Sequence, residues 1–120
     1  MLEIDPDAFA AAHAVGALII DVREAGEYTD GHVPGARLAP LGRLASVLPD
    51  LPWTERIYVI CASGNRSKAG AGMLRQAGLE AYSVAGGTAA WSAAGRPIVT
   101  GAQERRPAPP AADGAAGGSR

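Results

Sequence analysis

Apolar positions in this chain fall in short unbroken blocks separated by polar, glycine- and proline-rich stretches. Three blocks have strand length: residues 17–22 (Ala-Leu-Ile-Ile-Asp-Val), 57–60 (Ile-Tyr-Val-Ile) and 81–84 (Ala-Tyr-Ser-Val). A continuous apolar run of this length marks a strand buried on both faces, the pattern of a parallel sheet covered by helices. Residues 2–4 and 37–39 are read as shorter strands, the first at a sheet edge. Between the blocks the punctuation is helical. Asp5 before Pro6 is an N-cap and first-turn pair for a helix over residues 7–14, which Gly16 ends. One or two turns fit between Arg23 and Asp30, and the Gly and Pro content of residues 31–36 makes a loop. A helix is expected over residues 41–48, broken by Pro49-Asp50-Leu51-Pro52. Another covers residues 67–77, with Gly78 at its C-terminal end. Gly86-Gly87 turns into a last helix over residues 88–94, with Thr88 as its N-cap. Strands alternating with helices predict an α/β domain with a mainly parallel sheet.

The 120 residues suffice for one domain with a real core and are too few for two. Much of the 48% hydrophobic content is alanine, so helices should be small-sided and closely packed. From about Gly101 the sequence loses periodicity and large apolar residues, which predicts a folded domain over residues 1–100 and a disordered Ala/Gly/Pro-rich tail over 101–120. A formal net charge of -1 gives no electrostatic case for nucleic acid or an anionic membrane as partner. No apolar run is long enough to span a bilayer, and the N-terminus lacks a signal-peptide pattern. The single cysteine excludes an internal disulfide, a dithiol redox cycle and a cysteine-based zinc site. A cytoplasmic location, where a free thiol stays reduced, is expected. No metal or organic cofactor is called for.

That cysteine, Cys61, ends the 57–60 run and is followed by Ala62-Ser63-Gly64-Asn65-Arg66-Ser67. A thiol between a strand's C-terminal end and a helix N-terminus meets converging backbone N–H groups and the positive end of the helix dipole. With Arg66 and Lys68 nearby, these should lower its pKa and make it a nucleophile. Gly64 allows the amides to turn inward, Ser63, Asn65 and Ser67 add short polar groups, and Arg66 brings a donor fork suited to an oxyanion. In open parallel sheets, ligands bind outside the carboxyl ends of the strands. The site thus suits a sulfur nucleophile attacking something anionic, with negative charge held by backbone amides.

The loop from Cys61 to Ser67 resembles the active-site loop of the rhodanese family of sulfurtransferases. Asp21-Val22-Arg23-Glu24, then Glu27-Tyr28 and Gly31-His32-Val33-Pro34-Gly35-Ala36, resemble its N-terminal signature. Gly86-Gly87, Trp91 and Gly95-Arg96-Pro97 resemble its C-terminal one, so the resemblance covers about residues 2–99 in order. It implies a three-layer α/β/α domain and a persulfide mechanism. Cys61 would take a sulfane sulfur from a small anionic donor, thiosulfate or a persulfide, and pass it to cyanide or a thiol, including a thiol on a protein. With no resolving cysteine, the acceptor must be external. The four residues between Cys61 and Arg66 make a tighter loop than that of cysteine phosphatases, which favours a sulfur atom over a phosphoryl group. A phosphatase or arsenate reductase is therefore the weaker rival. A persulfide carrier for one partner protein is the other: Ala62 stands where many thiosulfate-using relatives have a basic or bulkier residue.

The remaining polar residues have structural readings. Ala62, Ser63 and Asn65 would act mainly through backbone N–H groups. Asp21 could accept backbone N–H bonds, and Arg23 could pair with Glu27 or another acid and brace the loop from behind. For Arg66 the alternative to oxyanion binding is a salt bridge tying the loop to the sheet. Lys68 reads as a solvated first-turn residue, His32 as hydrogen-bonded within its loop, His13 as a surface residue, and Gly86, Gly87 and Trp91 as packing and close-approach positions.

Overall fold

The computed structural model describes residues 2–102. Among these, five strands form one parallel sheet: β1 (Glu3–Ile4), β2 (Leu18–Asp21), β3 (Arg37–Leu38), β4 (Ile57–Ile60) and β5 (Ala81–Val84). Their spatial order is β1-β5-β4-β2-β3. The strand leading to Cys61 is therefore central, with Asp21 of β2 opposite Ile60 on one side and Ser83 of β5 opposite Val59 on the other. Every residue of β2 and β4 is buried, as their unbroken apolar runs predict.

Alternation along the strands divides the core into two layers. Leu18, Ile20, Val22, Ile57, Val59, Cys61 and Ala81 fall in one cluster, packed with Leu44 of α3 (Leu44–Val47) and Ala71 and Leu74 of α4 (Asn65–Gln76). Ile19, Tyr58, Ile60 and Val84 fall in the other. That second layer holds Phe9 of α1 (Pro6–Ala14), Tyr28 of α2 (Ala25–Asp30) and Trp91 of α5 (Gly87–Ala93). The result is a three-layer α/β/α domain. The buried face of α4 is Ser67, Gly70, Ala71 and Leu74, a spacing of one helical stripe. A Cβ on Gly70 would stand 3.2 Å from Val59 and 3.4 Å from Leu44 and Val22, so small residues set how closely this helix approaches the sheet.

The expected caps at Asp5 and Pro6 are present, with the Asp5 carboxylate accepting from the Ala8 amide at 2.7 Å. Three boundaries differ from expectation. The stretch expected as one helix over residues 41–48 is divided into a 3₁₀ turn (Leu41–Arg43), α3, and a second 3₁₀ turn (Leu48–Asp50). Gly42 weakens helical propagation and Pro49 lacks the N–H that a continuing helix would use. Helix α4 starts at Asn65 rather than Ser67, because Gly64 caps it with φ +114°. Helix α5 likewise starts at Gly87, capped by Gly86 rather than by Thr88.

Beyond α5 the chain returns across the domain. The Trp91 indole N–H donates to the Pro97 carbonyl at 2.6 Å, His32 and Val99 exchange backbone hydrogen bonds, and the Gly101 amide donates to the Thr29 carbonyl at 2.9 Å. Gly101 is thus still tied to α2, and the rest of the expected tail, from residue 103, lies outside the described residues. No described helix is long and apolar enough to cross a membrane.

Asp21 and Arg23, at the carboxyl end of β2, form a buried forked ion pair. Arg23 Nη2 lies 2.9 Å from Asp21 Oδ2 and Nε 3.0 Å from Oδ1, and Nη2 also donates to the Gly31 carbonyl at 2.8 Å. The Arg23 amide completes the set at 3.1 Å from Asp21 Oδ1. Removing one partner leaves the other charge buried and alone, which costs about 3–5 kcal/mol. Arg23→Ala is accordingly expected to lose about that much unfolding free energy in urea titration, and a loss below about 1 kcal/mol would remove this pair from the structural frame.

Candidate active site

Cys61 is only 1% exposed, at the floor of the loop that joins β4 to α4. Its Sγ accepts from the Gly64 amide at 3.1 Å and lies 3.4 Å from Ser67 Oγ. The positive φ of Gly64 turns the backbone so that this amide faces the sulfur. The loop's outward-facing carbonyls are occupied by the start of α5: Thr88 N–H donates to Cys61 O at 2.8 Å and Ala89 N–H to Ala62 O at 3.0 Å. Gly87 makes this approach possible, since a Cβ there would collide with both carbonyls. The Gly-Gly pair thus docks one helix N-terminus against the back of the loop.

Two effects set the ionisation of Cys61. Burial pushes its pKa up, while the Ser67 hydroxyl and the backbone amides of Ser67, Gly64 and Ser63 favour the thiolate and bring the balance below the usual thiol value. The lowering comes mainly from dipoles aimed at the sulfur, with the Arg66 charge also attracting the thiolate. Lys68 takes no part in it, being exposed and paired with Glu3 at 3.6 Å.

Arg66 points elsewhere than its sequence position suggests. Its guanidinium makes two bonds of 2.8 Å to the Glu27 carboxylate on α2, a partner 39 residues away. The Arg66 fork holds Glu27 well below the usual carboxylate range, at about 2, helped by the Glu24 amide, and the same bond raises Arg66. Glu27 is therefore ionised at any pH near neutrality, and the attraction weakens only as pH falls toward 2. The salt-bridge alternative for Arg66 is thus realised, with its anchor on a helix rather than on the sheet. Arg23, which had Glu27 as a candidate partner, is occupied by Asp21 instead.

The other polar residues sort cleanly. Ser67 is fully buried and bonded to Gly64 O and Ser83 Oγ, whereas Ser63 and Asn65 are exposed. His32 Nδ1 donates to the Tyr28 carbonyl at 2.8 Å and its ring stacks on that of Tyr28, a structural placement. His13 is partly covered rather than free on the surface, its Nε2 donating to the Pro34 carbonyl at 2.8 Å. Two residues near the site carried no active-site signal in the sequence, Ser83 and Thr88. Both are hydroxyls in otherwise apolar surroundings, which is the one sign that could have marked them. Thr88 lines an open groove of about 450 Å³ beside the loop, together with Ala62, Arg23, Glu27, Asp30 and Ile98.

The chain is similar to known proteins in sequence and in fold. Residues 5–94 match the family described as Rhodanese-like domain. A proposed sulfur carrier protein of Bacillus subtilis (strain 168), YrkF, is 39% identical over 62 residues, 52% of this chain and 34% of its own. The chain thus spans about a third of the length of that curated relative. A rhodanese-related protein from Thermoplasma volcanium superposes with a TM-score of 0.78 at 30% identity, covering 84% of this chain and all of the other. A thiosulfate sulfurtransferase from Pseudomonas aeruginosa gives 0.77 at 27% identity, over 88% of this chain and 21% of its own.

The balance between burial and dipoles has a direct readout. Alkylation of Cys61 by iodoacetamide should rise with pH and level off with a midpoint below that of a free cysteine measured alongside it. Gly87→Ala, which forces α5 off the loop carbonyls, should raise that midpoint. A wild-type midpoint above the free-thiol value would mean that burial outweighs the loop dipoles.

Proposed function

The chain belongs to the rhodanese-like domain family, and on that premise we propose that it moves sulfane sulfur through a persulfide on Cys61. The observation that carries this reading is the Sγ itself, held by an inward amide and a buried hydroxyl and tuned toward the thiolate. The Cys61 thiolate attacks the outer sulfur of the donor. With thiosulfate, the donor's S–S bond breaks and sulfite leaves with the electron pair. With a persulfide, a thiolate leaves. The terminal sulfur of the Cys61 persulfide is then attacked by an acceptor thiolate or cyanide. The bond to Sγ breaks, its electrons return to Cys61, and the thiolate is restored for the next cycle. The acceptor must come from outside, since the chain holds one cysteine. No proton-transferring histidine is needed, because both nucleophiles react as anions and both leaving groups depart as anions.

The donor we favour is a persulfide, with the domain acting for a partner protein in the manner of a carrier. The support is electrostatic. Thiosulfate carries two negative charges, and the one guanidinium of the loop is committed to Glu27 by two bonds. Position 62, an alanine, adds no cation. The likeness to YrkF, named as a proposed sulfur carrier, agrees with this. A phosphoryl substrate would ask for that same guanidinium, so phosphatase or arsenate chemistry is disfavoured twice, by loop length and by the pairing of Arg66. The cytoplasm, where both Cys61 and an acceptor thiol stay reduced, is the proposed location.

Intact mass spectrometry of the reduced protein tests this directly. Incubation with a small-molecule persulfide should add one sulfur atom, cyanide should remove it, and Cys61→Ser should gain nothing. A folded wild-type protein that takes sulfur from neither donor would exclude sulfur transfer. Glu27→Gln should release Arg66 and raise thiosulfate loading on the order of tenfold, the worth of one charge-assisted hydrogen bond, with little effect on persulfide loading. Equal change with both donors would make the ion pair a brace and not a selector.

A further inference from the structure

Ser83 has no part in the sulfur chemistry described above, yet its place is unusual. It is fully buried in β5, on the same sheet face as Ala81, and stands opposite Val59, two residues before Cys61. A hydroxyl in such a place needs a partner. Ser83 Oγ lies 2.7 Å from Ser67 Oγ, the single side-chain hydrogen bond it makes among the described residues. Ser67 Oγ lies in turn 3.1 Å from Gly64 O and 3.4 Å from Cys61 Sγ. The three side chains form a line from the core of the sheet to the nucleophile.

The hydrogens fix the direction of this line. Ser67 has one proton and three neighbours that could take it. If it went to Ser83, the Ser83 proton would be buried without an acceptor, and the thiolate would lose a donor. If Ser83 donates, every hydrogen has a place. We propose that Ser83 is a positioning residue whose buried hydroxyl donates to Ser67 Oγ and so reserves the Ser67 proton for Gly64 O or for Cys61 Sγ. In the thiol state, S–H donates to Ser67 Oγ and Ser67 donates to the Gly64 carbonyl. On ionisation the thiol proton leaves to solvent and the Ser67 O–H turns to the sulfur, while the Ser83 bond stays. Donating into Ser67 also polarises its O–H, which strengthens the bond to a thiolate. The same turn would receive the negative charge that returns to Sγ when the acceptor takes the sulfur, and to that extent the inference rests on the proposed function.

The charged groups around the site are Arg66, Glu27, Asp21, Arg23 and Asp30. The first four are engaged in two pairs, and none of the five is bonded to Ser67 or Ser83. A shift on changing Ser83 is therefore assignable to the hydroxyl line.

The test is the pH profile of iodoacetamide alkylation of the full chain, followed by intact mass, in wild type, Ser83→Ala, Ser83→Thr, Ser67→Ala and the Ser67→Ala/Ser83→Ala pair. Ser83→Ala should move the midpoint up by about half a pH unit, which is about threefold slower alkylation on the rising limb. Ser83→Thr, which keeps the hydroxyl, should retain the wild-type midpoint. In the Ser67→Ala background, Ser83→Ala should add nothing, because Ser83 acts through Ser67. If Ser83→Ala does not fold, Ser83→Val takes its place, having the shape of threonine without the hydroxyl. An unmoved midpoint in a folded variant lacking the hydroxyl overturns the proposal, and so does an equal shift with and without Ser67. Alkylation needs no sulfur donor, so a protein that shows the expected profile but never loads sulfur would refute the sulfur-transfer reading and leave the hydroxyl line standing.

Discussion

A loop that turns its amides inward must send its carbonyls outward, and buried carbonyls need donors. That constraint organises this molecule. The Cys61 and Ala62 carbonyls are met by the Thr88 and Ala89 amides, and Gly87 admits the helix that brings them. Helix α5 is kept in place by Trp91, which packs in the second core layer and donates to Pro97. The chemistry of the thiol therefore depends on an element that offers no side chain to it. The glycines of the 86–87 turn and the tryptophan five residues after Gly86 form one device rather than three separate features.

The thiolate is stabilised mainly by neutral dipoles, while the full charges nearby are held in pairs. Asp21 binds Arg23 in the interior, and Glu27 binds Arg66 at the rim. Paired charges attract an incoming anion weakly, and the rim pair is the more exposed of the two, so dissolved salt reaches it first. Dipoles packed around a buried sulfur are little affected by salt. Salt therefore acts on the rim pair more than on the dipoles around Cys61, and Arg66 links the two through its attraction to the sulfur.

The parallel sheet, its central strand and the position of Cys61 were legible because strands buried on both faces write themselves as unbroken apolar runs. The cap at Asp5 was legible because capping is a local affair of three or four residues. What could not be read was partnership across the chain. Arg66 finds Glu27 at a separation of 39 residues, and nothing near either residue specifies the other. Arg23 had Glu27 or another acid to choose from, and only the geometry of β2 decides for Asp21. The stretch from Leu41 to Asp50 failed for another reason: a 3₁₀ turn and an α-turn use the same residues, and Gly42 and Pro49 shift the balance between them. Ser83 was hidden by its own strand, where one serine among apolar residues reads as tolerance rather than purpose.

The return of the chain after α5 carries Gly101 back to α2. Gly101 is bonded to Thr29, next to Asp30 and Gly31, and Ile98 already lines the groove beside the loop. A polypeptide or reporter group joined after Gly101 would begin its path at the mouth of the site. A thiol carried on it would meet Cys61 at the high effective concentration of a short tether, with no new binding contact required. Nearness set by the position of Gly101 would then stand in for affinity.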